Sequence, residues 1–325
     1  MKPVIGCLGA GRMGRGIAVV FAFAGHEVVV VDFKQRERPA FDALAAEATA
    51  EIRSTLEILS RIDLLPPEFV ATIADRIRIV PRQEAAAALP RCDVIFEGMP
   101  EILDLKRAAL AEASRLAGER PIIASTTSTI LVDDLSGAIE HPGRFLNAHW
   151  LNPAYLVPLI ELSPGKLTAP DTTARMKALL EGIGKVPVVC AARPGFIVPR
   201  IQTLAMNEAA RMVEEGVASA EDIDKAVIYG FGFRFAVLGL LEFIDWGGGD
   251  ILHHASRYLV EALGDGRYAA PDIIGSNMRD GRIGMKTGQG FMNYDGVDQA
   301  AYREQRLAAF ASALRAMGLA RAPVA

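Results

Sequence analysis

A histidine and a glutamate twelve residues apart have the types and spacing for acid–base chemistry. His149 follows an apolar run, residues 145–148, that predicts a strand, and Glu161 lies within a second apolar strand, residues 158–162. Burying a carboxylate without a partner is costly, so the two side chains are expected to pair. The glutamate would orient the imidazole and stabilise its charged form, so that the imidazole can accept a proton from a hydroxyl. The residues alone also allow a purely structural pair.

A glycine turn near the start of the chain is the second chemical feature. An apolar strand, residues 4–8, leads into the turn, and an apolar helix follows. Gly9 permits a sharp turn, Gly11 leaves room for a pyrophosphate, and Gly14 lets the helix pack closely on the sheet. The start of the helix offers free N–H groups and a positive dipole to phosphates. The turn therefore predicts a dinucleotide-binding site that also includes Arg12 and Met13.

An acidic residue completes the dinucleotide fingerprint. The apolar run of residues 28–31 ends in Asp32, which can accept both hydroxyls of an adenosine ribose and repels a 2′-phosphate. NAD is therefore expected in preference to NADP, although Lys34 and Arg36 add positive charge nearby. A proton acceptor beside a nicotinamide suits the oxidation of an alcohol, in which the base takes the O–H proton as the hydride leaves carbon.

These residues must be positioned by a sheet whose strands end at one edge. Further strands are predicted at residues 77–80, 92–96, 122–124 and 186–190, and helices at 39–60, 67–73 and 103–117. The first two of these helices form an inserted helical hairpin. Five consecutive hydroxyl residues, 125–129, follow a strand at the sheet edge where ligands bind. One helix cap needs only one hydroxyl, so this cluster suggests more than capping.

The pattern becomes helical beyond residues 193–195. Helices are predicted at 197–216, 219 to about 229, 238–244, 251–263 and 298–317, the last of them amphipathic. The sequence thus predicts an α/β fold in which a Rossmann-type doubly wound sheet, residues 1–192, precedes an all-α domain, residues 193–325. Apolar runs such as 236–244 leave too few polar positions for a solvated face. We therefore expect a homodimer through this domain.

Composition excludes several classes of partner. The chain has 325 residues, 51% of them hydrophobic, enough for two cores. With a net charge of −4 and no basic patch, nucleic acid is not an expected partner, and no apolar run predicts a membrane span. We see no secretory signal and expect a cytoplasmic protein. Cys7, Cys92 and Cys190 are widely spaced and fit neither a zinc site nor a disulfide framework, so no metal is expected.

The motifs, taken in order, resemble the L-3-hydroxyacyl-CoA dehydrogenase family over nearly the whole chain. The matching stretches are residues 9–14, Glu101 with Lys106, 125–128, 149–153, 158–161, 194–198, 207–209 and 284–291. The resemblance implies NAD as cofactor and a short L-3-hydroxyacyl-CoA, such as 3-hydroxybutyryl-CoA, as substrate. It also implies that His149 is the catalytic base and Glu161 its partner.

The resemblance assigns further site residues as well. Ser128 would touch both the substrate oxygen and the cofactor. The cofactor-side positions are Glu101, Lys106, Asn152 and Lys286, of which Asn152 also lies beside the substrate. The helical domain would complete the cleft and form the dimer interface.

Two departures from the family pattern affect the expected substrate. The family usually carries an asparagine that helps bind the substrate carbonyl where this chain has Pro199. Asn207 lies eight residues further on, roughly 12 Å along a helix, and cannot simply replace it. Arg234, between two phenylalanines, could grip a planar carboxylate, but it could equally form a dimer salt bridge or contact a CoA phosphate. The family's CoA enzymes typically carry a Gly-Pro-Phe element where this chain has residues 230–239. That stretch is more similar to the carnitine and gulonate dehydrogenase branch, so a free 3-hydroxy acid is the alternative substrate.

Two other classes of protein are weighed against this interpretation. The 3-hydroxyisobutyrate and 6-phosphogluconate dehydrogenases also begin with a glycine turn, but they use a catalytic lysine instead of a His–Glu pair. A lens crystallin within the same family is a structural protein, and such a role leaves no mark in a sequence. The acid–base pair favours an enzyme.

Overall fold

Eight strands of the first part of the chain form one sheet. The computed structural model describes residues 2–323. The strands are β1 (Ile5–Leu8), β2 (Val28–Asp32), β3 (Ile77–Pro81), β4 (Val94–Glu97), β5 (Ile122–Ser125), β6 (Phe145–Trp150), β7 (Leu159–Pro164) and β8 (Val186–Val189). Their order across the sheet is β3-β2-β1-β4-β5-β6-β7-β8. All neighbours are parallel except β6 and β7. The strand order reverses between β1 and β4, the place where such sheets bind dinucleotides.

Helices cover both faces of the sheet. They are α1 (Arg12–Phe23), α2 (Arg38–Arg61), α3 (Phe69–Ala74), α4 (Ala85–Ala88), α5 (Leu103–Ala117), α6 (Val132–Ser136) and α7 (Pro170–Glu181). Successive strand side chains point to opposite faces, so β2 places Val28 and Val30 in one core and Val29 and Val31 in the other. This confirms the predicted doubly wound sheet. Helices α2 and α3 are the predicted hairpin between β2 and β3.

The remainder of the chain is helical. Helix α8 (Val198–Glu214) is followed by α9 (Ala220–Ala226), α10 (Phe233–Phe235), α11 (Leu240–Gly247), α12 (Gly249–Leu263), α13 (Asp272–Arg279) and α14 (Gln299–Ala316). Within residues 2–323 no strand follows β8, as predicted for an all-α second part. The chain divides into two compact units between Ala205 and Met206. Ser219 caps α9, because its hydroxyl accepts the N–H of Asp222 at 3.1 Å.

Several helices differ from the prediction. The helix expected to end near Tyr229 continues through a π-helical turn, Val227–Gly232, into α10. Helices α7 and α13 were not predicted. The apolar side chains of α14 are spread around the helix, so the expected amphipathic face is absent from it.

No single helix within residues 2–323 is long and apolar enough to cross a bilayer. The segments Ala220–Phe235 and Leu240–Gly247 reach that length and apolar character only when taken together, and the chain bends by 82° between them.

Candidate active site

The glycine turn after β1 leaves an open cradle at the start of α1. A Cβ atom on Gly14 would overlap the carbonyl oxygen of Gly9, whereas one on Gly11 would meet nothing within 4 Å. Gly9 has a φ of 101°, which favours glycine. No side chain caps α1, so the N–H groups of its first turn are left for an anion. The turn therefore fits the pyrophosphate of a dinucleotide.

Asp32 lies at the carboxyl end of β2 with an arginine on its carboxylate. The side chain is 5% exposed, and its Oδ2 accepts a hydrogen bond from Arg36 Nε at 2.6 Å. The other oxygen accepts the N–H of Lys34 at 3.4 Å. Asp32 is therefore at the position expected for ribose recognition, but Oδ2 is already paired with an arginine and Oδ1 accepts a long backbone hydrogen bond.

A buried ion pair lies where β4 and β5 end. Glu97, fully buried, accepts hydrogen bonds from Lys106 Nζ at 2.9 and 3.2 Å and from Ser125 Oγ at 2.5 Å. Lys106 is 1% exposed and also donates to the carbonyl of Met99 at 3.0 Å. The ammonium predicted to serve the cofactor is thus committed to these partners. Glu97 is a site-forming residue that sequence reasoning missed, although an acid inside an apolar strand was the available signal.

Glu101 organises the hydroxyl cluster that follows β5. Its Oε1 accepts the hydroxyl of Thr127 and the N–H groups of Ser128 and Thr129, the latter two at 3.1 Å. Burial alone would raise the pKa of this carboxyl, but hydrogen bonds from Thr127 and Thr129 and the charge of Lys106 together lower it. The residue before α6 is Leu131, so the hydroxyls do not cap that helix. Ser128 itself is exposed.

The structure brings His149 and Glu161 together. They are direct partners in the antiparallel register of β6 and β7, and His149 Nδ1 lies 2.7 Å from Glu161 Oε2. The side chains are 4% and 0% exposed. A carboxylate accepts a proton-bearing Nδ1, which leaves the lone pair on Nε2. Among the described residues Nε2 has no hydrogen-bond partner, so it is the atom available to accept a substrate proton.

The approach to α8 packs against this pair. Glu161 Oε1 accepts the N–H groups of Ile197 at 2.8 Å and Val198 at 2.9 Å. The ring of Phe196 stacks on the imidazole of His149 with centroids 5.1 Å apart and planes 5° apart. Pro199 is the second residue of α8, where a missing N–H is tolerated. Sequence reasoning quoted this stretch as a family motif but gave Phe196 no role.

Asn152 lies in the loop after β6. It is exposed and, with Arg12 and Arg15 of α1, lines a cavity of about 320 Å³. Asn152 and the glycine turn are therefore on the same side of the first unit. Met13 is half-buried close to Gly98.

Two predicted site residues belong to the second unit, and their described contacts lie within it. Lys286 Nζ donates to Asp250 Oδ2 at 2.6 Å, which lowers the pKa of that carboxyl. Arg234 is exposed, donates through Nε to the carbonyl of Gly230 at 3.0 Å and lies 5.1 Å from the ring of Phe243. Among the described residues it has no carboxylate partner.

The three cysteines are not placed as nucleophiles. Cys7 and Cys92 are buried and Cys190 is partly buried. Burial raises the pKa of Cys92 to about 11 and raises the pKa values of the other two thiols as well. All three are therefore protonated near neutral pH.

Comparison with known proteins identifies the family. A model described as 3-hydroxyacyl-CoA dehydrogenase, NAD binding domain, matches residues 4–193, and one described as 3-hydroxyacyl-CoA dehydrogenase, C-terminal domain, matches residues 195–294. The chain therefore belongs to the 3-hydroxyacyl-CoA dehydrogenase family of NAD-binding oxidoreductases.

Relatives within this family differ in their named substrates. The chain is 30% identical over 304 residues to 5-formyl-3-hydroxy-2-methylpyridine 4-carboxylate 5-dehydrogenase of Mesorhizobium japonicum, covering 93% of this chain and 94% of the relative. It is 30% identical over 289 residues to a probable 3-hydroxybutyryl-CoA dehydrogenase of Deinococcus radiodurans, covering 89% and 99%. A solved 3-hydroxyacyl-CoA dehydrogenase from Archaeoglobus fulgidus is similar with a TM-score of 0.76 and 30% identity, covering 98% of this chain and all of that one.

Proposed function

We propose that the protein interconverts a short L-3-hydroxyacyl-CoA, of the 3-hydroxybutyryl-CoA type, and its 3-oxo form. The observation that carries the proposal is the 2.7 Å contact between His149 and Glu161. It supports the proposal because an imidazole whose Nδ1 faces a carboxylate keeps Nε2 available to act as a base at the carboxyl end of a sheet strand. The similarity to 3-hydroxyacyl-CoA dehydrogenases supports the substrate class.

Three side chains of this protein would act directly on the reaction. NAD, when bound, supplies the acceptor for the hydride. His149 Nε2 takes the proton of the substrate hydroxyl, while Glu161 holds the Nδ1 proton and stabilises the positive imidazolium. Ser128, on the loop held by Glu101, would hydrogen-bond the substrate oxygen. Only the combined removal of proton and hydride yields the neutral ketone.

The cofactor would be held along the carboxyl edge of the sheet. The glycine turn and the start of α1 would bind the pyrophosphate, and Asp32 would bind the adenosine ribose. Asn152 would contact both cofactor and substrate. Glu101 and Lys106 would act on the cofactor side through the loops that they hold, and Lys286 is assigned there by resemblance.

Substitution of the base tests this function. His149→Ala should lower kcat by about 10²- to 10⁴-fold, the usual contribution of a general base, while NAD still binds. Glu161→Gln should also lower kcat, because an amide stabilises the imidazolium less well. His141→Ala is a matched control, since His141 is 47% exposed and 3.5 Å from Glu119. Near-normal kcat in His149→Ala would exclude this mechanism.

A free 3-hydroxy acid is the second candidate substrate, and Arg234 favours it. Its guanidinium is exposed and lies against an aromatic ring. The Mesorhizobium relative is named for a substrate with a free carboxylate. Arg234→Lys should lower kcat/KM on a free acid by roughly 10- to 100-fold, the scale of one charge-assisted contact, and leave thioester turnover unchanged. Equal losses on 3-hydroxybutyryl-CoA and on carnitine or 3-hydroxybutyrate would indicate a structural arginine.

Four broader expectations belong to the same proposal. We propose a cytoplasmic homodimer whose domains are residues 1–192 and 193–325, and which is an enzyme instead of a crystallin. Turnover with any member of a panel of 3-hydroxyacyl-CoAs and free hydroxy acids separates the enzyme from the structural protein.

A further inference from the structure

Phe196 has a backbone conformation that is unusual for a bulky residue. Its φ is 44°, and within residues 2–323 the only other non-glycine residue with a positive φ is Asp63, in an exposed turn. Gly195, directly before it, has a φ of 77°. Glycine would adopt the Phe196 conformation without strain, so the phenyl group is retained there at an energetic cost. Such strain persists where the side chain serves a purpose.

The ring of Phe196 meets the proposed base. It is 7% exposed, and its one described aromatic partner is the imidazole of His149, in a nearly parallel stack. The imidazole is therefore held along one edge by Glu161 and across one face by Phe196. An edge contact alone fixes the direction of Nδ1 but lets the ring plane turn about that hydrogen bond. The stacked phenyl group removes this freedom.

The same left-handed pair of residues also directs the chain toward Glu161. Immediately after Phe196, the N–H groups of Ile197 and Val198 both donate to Glu161 Oε1, whereas Oε2 faces His149. Both oxygens of the buried carboxylate are thus engaged by different elements. The turn at residues 195–198 therefore contacts the imidazole directly through the phenyl group and holds the carboxylate beside it through two N–H groups.

We propose that Phe196 is a positioning residue that fixes the ring plane of His149, and that its left-handed backbone serves this purpose. The inference rests on the proposed role of His149 as base. Phe196 itself exchanges no proton and acts only through the imidazole. A phenylalanine that merely fills the core would not need this conformation or this parallel contact.

Phe196→Leu is the primary test. It keeps an apolar side chain but removes the flat ring, so kcat should fall on the order of 10- to 100-fold, the effect of a small misalignment of reacting groups. KM and the Kd for NAD should stay within about twofold, because the proposed pyrophosphate and ribose contacts are made by the glycine turn and Asp32 and not by Phe196. Phe196→Tyr keeps the ring and should restore kcat. If Phe196→Leu cannot be recovered folded, Phe196→Met takes its place.

Two controls separate positioning from packing and from strain. Phe41→Leu removes a ring that is 6% exposed in α2, so it should lower the melting temperature without lowering kcat. Asp63→Gly relieves the other left-handed residue and should leave kcat unchanged. A kcat for Phe196→Leu that falls no further than that for Phe41→Leu would overturn the proposal.

Nitrogen NMR of the histidine rings gives a readout that does not depend on turnover. The chain has five histidines, and His149→Gln assigns the signal of interest by subtraction. The parent protein and Phe196→Tyr should show narrow ring-nitrogen signals for His149, whereas Phe196→Leu should show signals broadened by exchange between ring orientations. Equally narrow His149 signals in Phe196→Leu would overturn the proposal. If these signals broaden in Phe196→Leu while His149→Ala keeps its activity, the proposed function fails and the positioning of the ring still stands.

Discussion

The contact between Arg36 and Asp32 matters for the choice of cofactor. The carboxylate that repels a 2′-phosphate has an arginine 2.6 Å away that would attract one. The aspartate therefore disfavours a phosphate on the 2′-oxygen of the adenosine ribose, and the arginine favours one. Because the aspartate lies at the strand end and the arginine in the loop beyond it, we expect the aspartate to dominate.

Asp32→Ala should shift binding toward NADP. Loss of the carboxylate removes the repulsion and frees Arg36, so the ratio of NADP to NAD affinity should rise by roughly 10- to 100-fold. Arg36→Ala should lower NADP affinity and strengthen NAD binding, because the carboxylate is then unpaired. Calorimetric titration of the unliganded protein measures both constants. Arg38→Ala is the control, since Arg38 pairs with Asp42 on the surface of α2. A higher kcat/KM with NADP than with NAD in the parent enzyme would contradict the role given to Asp32.

Contacts between candidate site residues could be predicted from the sequence where the two residues lie on consecutive strands. His149 and Glu161 lie opposite each other because two short strands follow one another along the chain. The role of Phe196 could not be predicted, because it depends on a left-handed backbone that no composition signals for phenylalanine. The contact of Lys106 with Glu97 joins a helix to a strand end nine residues earlier, and spacing alone does not determine it.

At the scale of elements, the first turn distinguishes a glycine needed for folding from one needed for binding. Gly14 has no space for a Cβ against the Gly9 carbonyl, whereas Gly11 has open space and a φ of −81° that any residue adopts. Both belong to the same fingerprint. Substitution of Gly14 should therefore affect stability, and substitution of Gly11 should affect NAD binding.

Gly14→Ala should destabilise the protein by about 1–3 kcal/mol, the cost of overpacking, because the turn must move. Gly11→Ala should leave the melting temperature unchanged but weaken NAD binding, since its methyl group occupies the space left for pyrophosphate. Thermal unfolding and calorimetric titration measure the two effects. Normal NAD affinity in Gly11→Ala would show that the glycine turn does not bind the pyrophosphate.

Element boundaries were predicted best where strong local signals coincide. Helix α5 occupies the predicted residues 103–117 and ends at Gly118, whose φ is 70°. The π-helical turn of residues 227–232 carries no recognisable signal, because its composition suits an α-helix equally well. The tail helix was wrongly expected to be amphipathic, since its alanines obscure the distribution of the larger apolar residues.

At the scale of the whole molecule, the second unit buries few apolar side chains of its own. Within its described residues the buried ones are Ile223, Leu238, Ile274, Met285 and Tyr294. Large apolar groups on α12 are exposed instead, including Ile251 at 61% and Tyr258 at 69%. These two residues are seven positions apart and so share a helix face. This surface is a candidate for the dimer interface.

Light scattering at micromolar concentration should therefore give twice the chain mass of 34.9 kDa. Substituting both Ile251 and Tyr258 with glutamate should produce a monomer, because like charges would be buried at the interface. Ile62→Glu is the control, since Ile62 is 50% exposed in the first unit. A monomeric parent protein would contradict the proposed assembly.

The pairing of β6 with β7 also constrains how the gene can change over time. The loop between the strands, residues 151–158, can gain or lose codons while the ladder still sets His149 opposite Glu161. Loss of one codon inside β7 before Glu161 would instead turn the later side chains of that strand to the other face of the sheet. Descendants of this gene that keep the acid–base pair should therefore carry their insertions in the loop and none in the two strands.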